Sequence, residues 1–388
     1  MANLMDYLDW RGDLSFRADP FNEVDNLLCA MLGTPDFSMI IPENGQALPL
    51  RNVIDTYTEL WGERGDRLGL LTSLHILPLL RRCAESLRYS QVKLSHFVNI
   101  VDDVRAEQFS AVCVHLPDGS CYIAYRGTDD SIMGWKEDFL LSVLDWVPAQ
   151  KDALEYLKAV AADLDGELIL GGHSKGGNLA VYAAVNAPED IQRRIRAVYN
   201  NDGPGFRLSI RESEGYKRIE DRVFSILPQH SMVGILLERC GHPIIVKSSR
   251  PAPDSHDGYY WELMGTRFVR CREFSRSAQA YSTAVERALA GKTTEERREF
   301  VDSFFLLLTA TGARTLTEFF APGSSAFLTL LRHSRRVPAV HDFVSEVARI
   351  ALKEYAEDVA EDMAEDMREY GKRLLGRNEK EQLTVKLP

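Results

Sequence analysis

Between Glu167 and Ala180 an apolar run, Leu168-Ile169-Leu170, enters Gly171-Gly172-His173-Ser174-Lys175-Gly176-Gly177 and leaves as an alanine-rich helical pattern that continues to Val185. A strand that turns into a helix within a few residues constrains its apex more than any other feature of this chain. The apical residue sits in strained backbone, and side chains two positions before and after it would collide with the neighbouring strand and helix. Gly172 and Gly176 remove both side chains. The turn can then close and push the Ser174 hydroxyl out over the end of a sheet, the geometry of a nucleophile elbow. A helix beginning just beyond Ser174 also aims free N–H groups at any negative charge that develops there. The backbone N–H of Lys175 is the expected oxyanion donor, and His173 is expected to pack or orient rather than act as the base.

The surroundings of this turn predict an α/β fold with a mostly parallel central sheet. From about Val101 to Phe268 short β-rich runs alternate with helical ones, the signature of a sheet covered by helices. Ala111–Leu116 and Cys121–Tyr125 flank Pro117-Asp118-Gly119 and read as a hairpin. Asp152–Leu164 reads as a helix, and strands are expected at Glu167–Leu170, Ala197–Asn200, Val223–Leu227 and Ile244–Lys247. Residues 1–100 read as mostly helical, packed on a catalytic core of residues 101–272, with a helical C-terminal region over 273–388. In that region Val359, Met363 and Met367 recur every fourth residue along the acidic segment Ala356–Met367, one apolar stripe on a charged rod. Such a stripe suits packing on the chain's own domain or self-association through the C-terminal helices.

Composition removes other functions. The 388 residues are 45% hydrophobic and 27% charged, enough to bury a sizeable core. A formal net charge of −11 without a Lys/Arg-rich block argues against nucleic acid as a partner. The first ten residues carry two aspartates and no basic region leading into an apolar stretch, so no secretory signal is expected. The longest apolar run, Phe304 to Leu308, falls far short of the roughly 18 residues that span a bilayer. A cytoplasmic protein is expected. Cys29, Cys83, Cys113, Cys121, Cys240 and Cys271 show no CxxC spacing, so neither a zinc site nor a disulfide frame is indicated, and no metal or organic cofactor is expected.

If Ser174 is a nucleophile, its base is a histidine later in the chain, with an acid between them in sequence. His230, His242 and His256 are the candidates, and His256 is favoured because its loop follows the last expected strand. A carboxylate must hold the imidazole in the right tautomer. The loop after Val223–Leu227 is the usual place, but Pro228 to Leu237 contains no carboxylate. One strand earlier, Asp202 follows Asn200-Asn201 just past a strand end and is the preferred acid, with Asp257 as the alternative. The second oxyanion donor is expected at another strand end, Tyr122 to Asp129, where Thr128 offers an N–H and a hydroxyl.

Tyr125-Arg126-Gly127-Thr128, Trp135-Lys136-Glu137-Asp138-Phe139 and Gly172-His173-Ser174-Lys175-Gly176-Gly177 together resemble the class 3 lipases. The set is closer still to a bacterial family of lipase-like α/β hydrolases with GHSKGGN at the elbow. That family's pattern also resembles Asn200 to Gly205, the His256-Asp257 pair before Trp261, and the N-terminal runs Asp6–Asp13 and Asp19–Asp25. The resemblance implies an α/β-hydrolase fold, Ser174 as nucleophile, His256 as base, and an oxyanion hole at Thr128 and Lys175. In class 3 lipases the acid stands at about the position of Ser231, where this sequence departs, leaving Asp202 as the substitute. The segment Asp130 to Trp135 lies where those lipases carry a mobile lid, so Ile132, Met133 and Trp135 are expected to border an acyl pocket, with Gly134 as a hinge. The function implied is a serine hydrolase acting on a small-molecule ester or acyl substrate. The alternatives are an amidase or peptidase on the same triad, or a non-catalytic binding protein that retains the fold.

Overall fold

The computed structural model describes residues 2–62, 75–102, 107–128, 132–141, 144, 146–206, 208–289, 292–315, 318–319, 321, 324–346 and 348–349. At its centre is an eight-stranded sheet whose strands lie in chain order from edge to edge. They are β1 (Leu48–Pro49), β2 (Lys93–Asp102), β3 (Glu107–His115), β4 (Cys121–Tyr125), β5 (Leu168–His173), β6 (Ile195–Asn201), β7 (Val223–Pro228) and β8 (His242–Val246). β1 to β4 pair antiparallel and β4 to β8 pair parallel. The expected hairpin is present as β3 and β4, turned by Gly119 at φ +87° while the Asp118 carboxylate accepts from the Ser120 N–H at 3.0 Å.

The helices are α1 (Leu4–Arg11), α2 (Glu23–Leu32), α3 (Leu50–Trp61), α4 (Ile76–Glu85), α5 (Ile132–Leu141), α6 (Pro148–Asp163), α7 (Lys175–Asn186), α8 (Glu189–Arg194), α9 (Leu208–Glu212), α10 (Glu214–Lys217), α11 (Arg276–Leu289), α12 (Thr294–Thr309) and α13 (Ala326–Ser334). A short hairpin, β9 (Leu263–Met264) with β10 (Arg267–Phe268), precedes α11. Strand alternation sends neighbouring side chains to opposite faces, and the core divides accordingly. Val112, Val114, Tyr122 and Ile169 join the N-terminal helices on one face, whereas Cys113, Ile123, Leu168 and Leu170 join α6 and α7 on the other. A parallel sheet with helices on both faces and a sharp β5-to-α7 turn is an α/β-hydrolase fold.

Residues 1–100 are less helical than their spacing predicts, because β1 and most of the ten-residue β2 lie within them. The register of β2 on β3 shifts between Ser95 and Val98, and His96 adopts φ +53° there. This bulge breaks the period-two alternation by which a strand is recognised. The N-terminal layer is tied down by Asp25, which is fully buried. Arg88 donates to its two carboxylate oxygens at 2.8 and 2.5 Å, and Tyr7 and Tyr89 add hydroxyl donors at 3.0 and 2.7 Å. Remaining guanidinium donors of Arg88 take the carbonyls of Leu14, Asp19 and Pro20, so one buried cation organises the loop before α2.

Past β10 the described residues up to Arg349 are mostly helical. Phe300, Val301, Phe305 and Leu308 of α12 form an apolar cluster with Ile132 of α5 and Leu330 of α13. The acidic segment Ala356–Met367 lies outside the described residues. No helix among the described residues is long and apolar enough to cross a membrane.

Candidate active site

Ser174 occupies the turn between β5 and α7 with φ +56° and ψ −134°, backbone that side-chain-bearing residues rarely adopt. Its N–H donates to the Asn201 carbonyl at 2.9 Å and its carbonyl accepts from the Gly177 N–H at 2.9 Å. The glycines are required by backbone neighbours that have no room to move. A Cβ on Gly172 would stand 2.5 Å from the Tyr125 carbonyl oxygen, and one on Gly176 would stand 2.1 Å from the same atom. Ser174 is therefore held at the C-terminal end of the central strands, one residue before the first N–H of α7.

Asp202 follows β6 and is also strained, at φ +51°, with no exposed surface. Its N–H donates to the Ile226 carbonyl at 2.8 Å, which bends the chain toward the end of β7. There its Oδ1 accepts from the Ser231 hydroxyl at 2.5 Å and from the Gly234 N–H at 3.2 Å. Its Oδ2 lies 2.6 Å from His256 Nδ1. The place after β7 that lacks a carboxylate thus holds a hydroxyl donor that aims a carboxylate from the end of the neighbouring β6. Asn178 fixes the same turn by donating to the Pro204 and Gly205 carbonyls at 3.1 and 3.0 Å, while Gln150 holds the Asn178 amide oxygen at 2.7 Å.

The loop carrying His256 is stapled from beneath. Trp261, fully buried, donates its indole N–H to the Ser255 carbonyl at 2.9 Å, and the Ser255 hydroxyl donates to the His230 carbonyl at 3.0 Å. His173 lies against it, with ring centroids 4.5 Å apart and Nε2 at 2.6 Å from the His256 carbonyl. Because that partner only accepts, His173 carries its proton on Nε2. Burial, aided by the neighbouring His256, holds the His173 imidazole down at about 3, so it stays neutral near pH 7. His173 thus orients the His256 loop.

Across the elbow, the Lys175 side chain turns away from the turn into the core. Its ammonium, with no exposed surface, lies 2.7 Å from Glu137 Oε2 and 3.0 Å from the Gln108 carbonyl. The adjacent Asp138 accepts the Thr128 hydroxyl at 2.8 and 2.7 Å to its two oxygens. Thr128 therefore spends its hydroxyl on Asp138, which leaves its backbone N–H as the group it can offer an oxyanion. Burial pushes the Asp138 carboxyl up to about 7, against the opposing pull of Lys175 and the Thr128 hydrogen bond. Two buried carboxylates thus pin α5 to the strand end and to the elbow. Arg126 directs Nη2 at Asn99 Oδ1, 2.9 Å away.

The other candidates lie elsewhere. His230 places Nε2 at 2.8 Å from the Gln229 side-chain nitrogen, and His242 stands at the start of β8 against Phe224. The Asp257 carboxylate caps the Tyr259 N–H at 2.9 Å. Ile132 is buried in the cluster that α12 and α13 form, and Trp135 packs on the same cluster. Residues 129–131 and the Met133 side chain lie outside the described ones. Asn178 and Glu137 fall within the quoted motifs and Ser231 at the position where the acid is missing, but what each holds is not legible there, because an amide, an ion-pair partner and a hydroxyl carry no spacing signal for their roles. Among the described residues no group of three or more His, Cys, Asp and Glu converges on a metal-sized site.

Sheet order, elbow and the helix layers on either face define an α/β-hydrolase fold. Residues 83–306, more than half of the chain, match the Mbeg1-like family, and the chain belongs to that family. Among curated proteins there is no match. Among solved structures, one described as the crystal structure of M37 lipase is similar at 17% identity and a TM-score of 0.32, over 41% of this chain and 62% of that one. The match spans less than two thirds of that lipase. The fold assignment rests on the sheet and the elbow rather than on that likeness.

Proposed function

We propose that this chain is a serine hydrolase that cleaves a carboxylic ester or thioester through an acyl-enzyme on Ser174. The observation that carries the reading is the 2.6 Å contact between His256 Nδ1 and buried Asp202, in a molecule whose elbow strains Ser174 to φ +56°. His256 Nδ1–H donates to the Asp202 carboxylate, which leaves Nε2 to take a proton. Ser174 Oγ attacks the carbonyl carbon as its proton passes to Nε2, and Asp202 stays ionised and stabilises the imidazolium. The backbone N–H groups of Thr128 and Lys175 hold the tetrahedral oxyanion. Collapse of the intermediate expels the alcohol or thiol, which takes the proton from Nε2. Water, deprotonated by the same nitrogen, then releases the acid and restores Ser174.

In this reading Ser231 and Gly234 aim the Asp202 carboxylate at His256, His173 holds the loop that carries the base, and Asp138 positions Thr128. The same triad serves an amide only if His256 protonates an amine leaving group efficiently. Hydrolysis of p-nitrophenyl esters of increasing chain length, set beside aminoacyl amides, tests the assignment. Ester turnover that disappears in Ser174→Ala and in His256→Ala is expected. Amide turnover without ester turnover would replace it with the peptidase reading.

A further inference from the structure

Among the described residues, the C-terminal helices leave one face of α13 uncovered. Ala326, Leu330 and Ser334 are buried on its inner side, whereas Leu328 is 64% exposed and Phe327 38% exposed. Arg332 follows Leu328 by one helical turn and shares its side of α13, while Arg335 caps the helix and Arg336 follows in the turn just past its end. All three arginines are exposed, and none forms an ion pair with a described residue. On a chain of net charge −11, this is a local inversion of sign beside uncovered apolar surface.

The complementary pattern is in the chain's own sequence. Ala356–Met367 holds six carboxylates and no basic residue, with Val359, Met363 and Met367 spaced by four. We propose that this acidic segment docks on the outer face of α13 and the turn that ends it, its carboxylates on Arg332, Arg335 and Arg336 and its Val and Met stripe on Phe327 and Leu328. Six residues separate Arg349 from Ala356, a tether that reaches about 20 Å when extended. Tethering of that length supplies an effective concentration on the order of millimolar, so a contact too weak to hold a separate partner is still formed within one chain. Because the cations are exposed, salt weakens the contact. α13 packs on α12, and α12 grips α5 through Lys136 with Asp302 at 2.6 Å and through Phe139 against Phe304 and Phe305. Docking therefore loads the helix layer that holds the strand-end carboxylates, and the inference stands whether or not the chain is a hydrolase.

Hydrogen–deuterium exchange of the full chain, read by mass spectrometry at micromolar concentration and low salt, tests it. Amides of residues 356–367 are expected to exchange at least tenfold more slowly than unstructured chain. The protection is expected to be lost in Arg332→Ser/Arg335→Ser/Arg336→Ser, in Leu328→Ser, and in the wild type at 0.5 M sodium chloride, while amides of α12 keep theirs. A tail-side variant, Val359→Ser/Met363→Ser, leaves α13 untouched and is expected to lose the same protection. A charge swap that pairs Arg332→Glu/Arg335→Glu/Arg336→Glu with Asp358→Lys/Asp362→Lys/Asp366→Lys is expected to restore it. Tail amides that exchange at the unstructured rate in the wild type overturn the proposal, as does protection that survives both the arginine and the tail variants. Protection that appears only when the chain self-associates assigns the face to a second copy instead. Loss of binding to phosphatidylglycerol vesicles in the arginine variant, with tail protection unchanged, assigns it to a lipid surface.

Discussion

Replacing Asp202 by asparagine separates a working triad from a structural hydrogen bond with the least change in shape. In the folded chain Oδ1 of Asp202 accepts from the Ser231 hydroxyl and from the Gly234 N–H, while Oδ2 faces His256 Nδ1 at 2.6 Å. An asparagine keeps the amide oxygen where two donors already point, because the backbone N–H of Gly234 cannot reverse. Its NH₂ group therefore faces His256 Nδ1 and donates. The imidazole must then accept on Nδ1 and carry its proton on Nε2, the atom meant to take the proton of Ser174. The wrong tautomer in a triad lowers kcat by about 10⁴, a barrier increase of about 5 kcal/mol, while the buried network keeps its bonds and the fold its stability. The assay is the pseudo-first-order rate of fluorophosphonate labelling, with ester turnover measured alongside and thermal melts as the control. A variant that labels within tenfold of the wild type would refute the role given to Asp202.

Lys175→Met leaves Glu137 buried and unpaired and is expected to destabilise the chain by about 3–5 kcal/mol in urea denaturation, with Lys175→Met/Glu137→Gln recovering most of the loss. Equal stability of the single and double variants would contradict the buried pairing. Gly176→Ala sets a Cβ at 2.1 Å from the Tyr125 carbonyl oxygen, so its cost is expected to exceed the roughly 1–3 kcal/mol of ordinary overpacking, and wild-type stability in this variant would contradict the elbow geometry. Asp138 titrates at about 7 when folded and near 4 when unfolded, so between those values the native state holds the extra proton and its stabilising effect is lost as pH rises. The melting temperature of Asp138→Asn relative to wild type is therefore expected to climb from pH 4 to pH 7 and level off above it, and a difference that falls over that window would reverse the assignment.

The elbow, the β3–β4 hairpin and the parallel strands are legible in the sequence because each is a local pattern: a glycine pair at fixed spacing, a Pro-Asp-Gly turn, an apolar run between breakers. β2 is not, since the bulge at His96 scrambles its alternation, and the surrounding leucine-rich helices set the period a reader sees. The pairing of Asp202 with His256 follows from counting strand ends, but the donors that aim the carboxylate do not. Ser231 and Gly234 are 29 and 32 residues from Asp202 in the chain and meet it only because β6 and β7 are neighbours. Thr128 shows the limit from the other side. Its position at the end of β4 is readable, whereas the commitment of its hydroxyl to Asp138 depends on how α5 packs. Burial of Ile132 against α12 likewise comes from a helix more than 150 residues downstream, a distance over which periodicity carries no information.

The central claim, that Ser174 is an activated nucleophile, is tested most directly by intact-mass measurement after exposure of the folded chain to a fluorophosphonate. One adduct on the wild type, none on Ser174→Ala and none on His256→Ala is the result predicted. A folded wild-type chain that stays unlabelled, or a Ser174→Ala chain that labels as fast as the wild type, would contradict it.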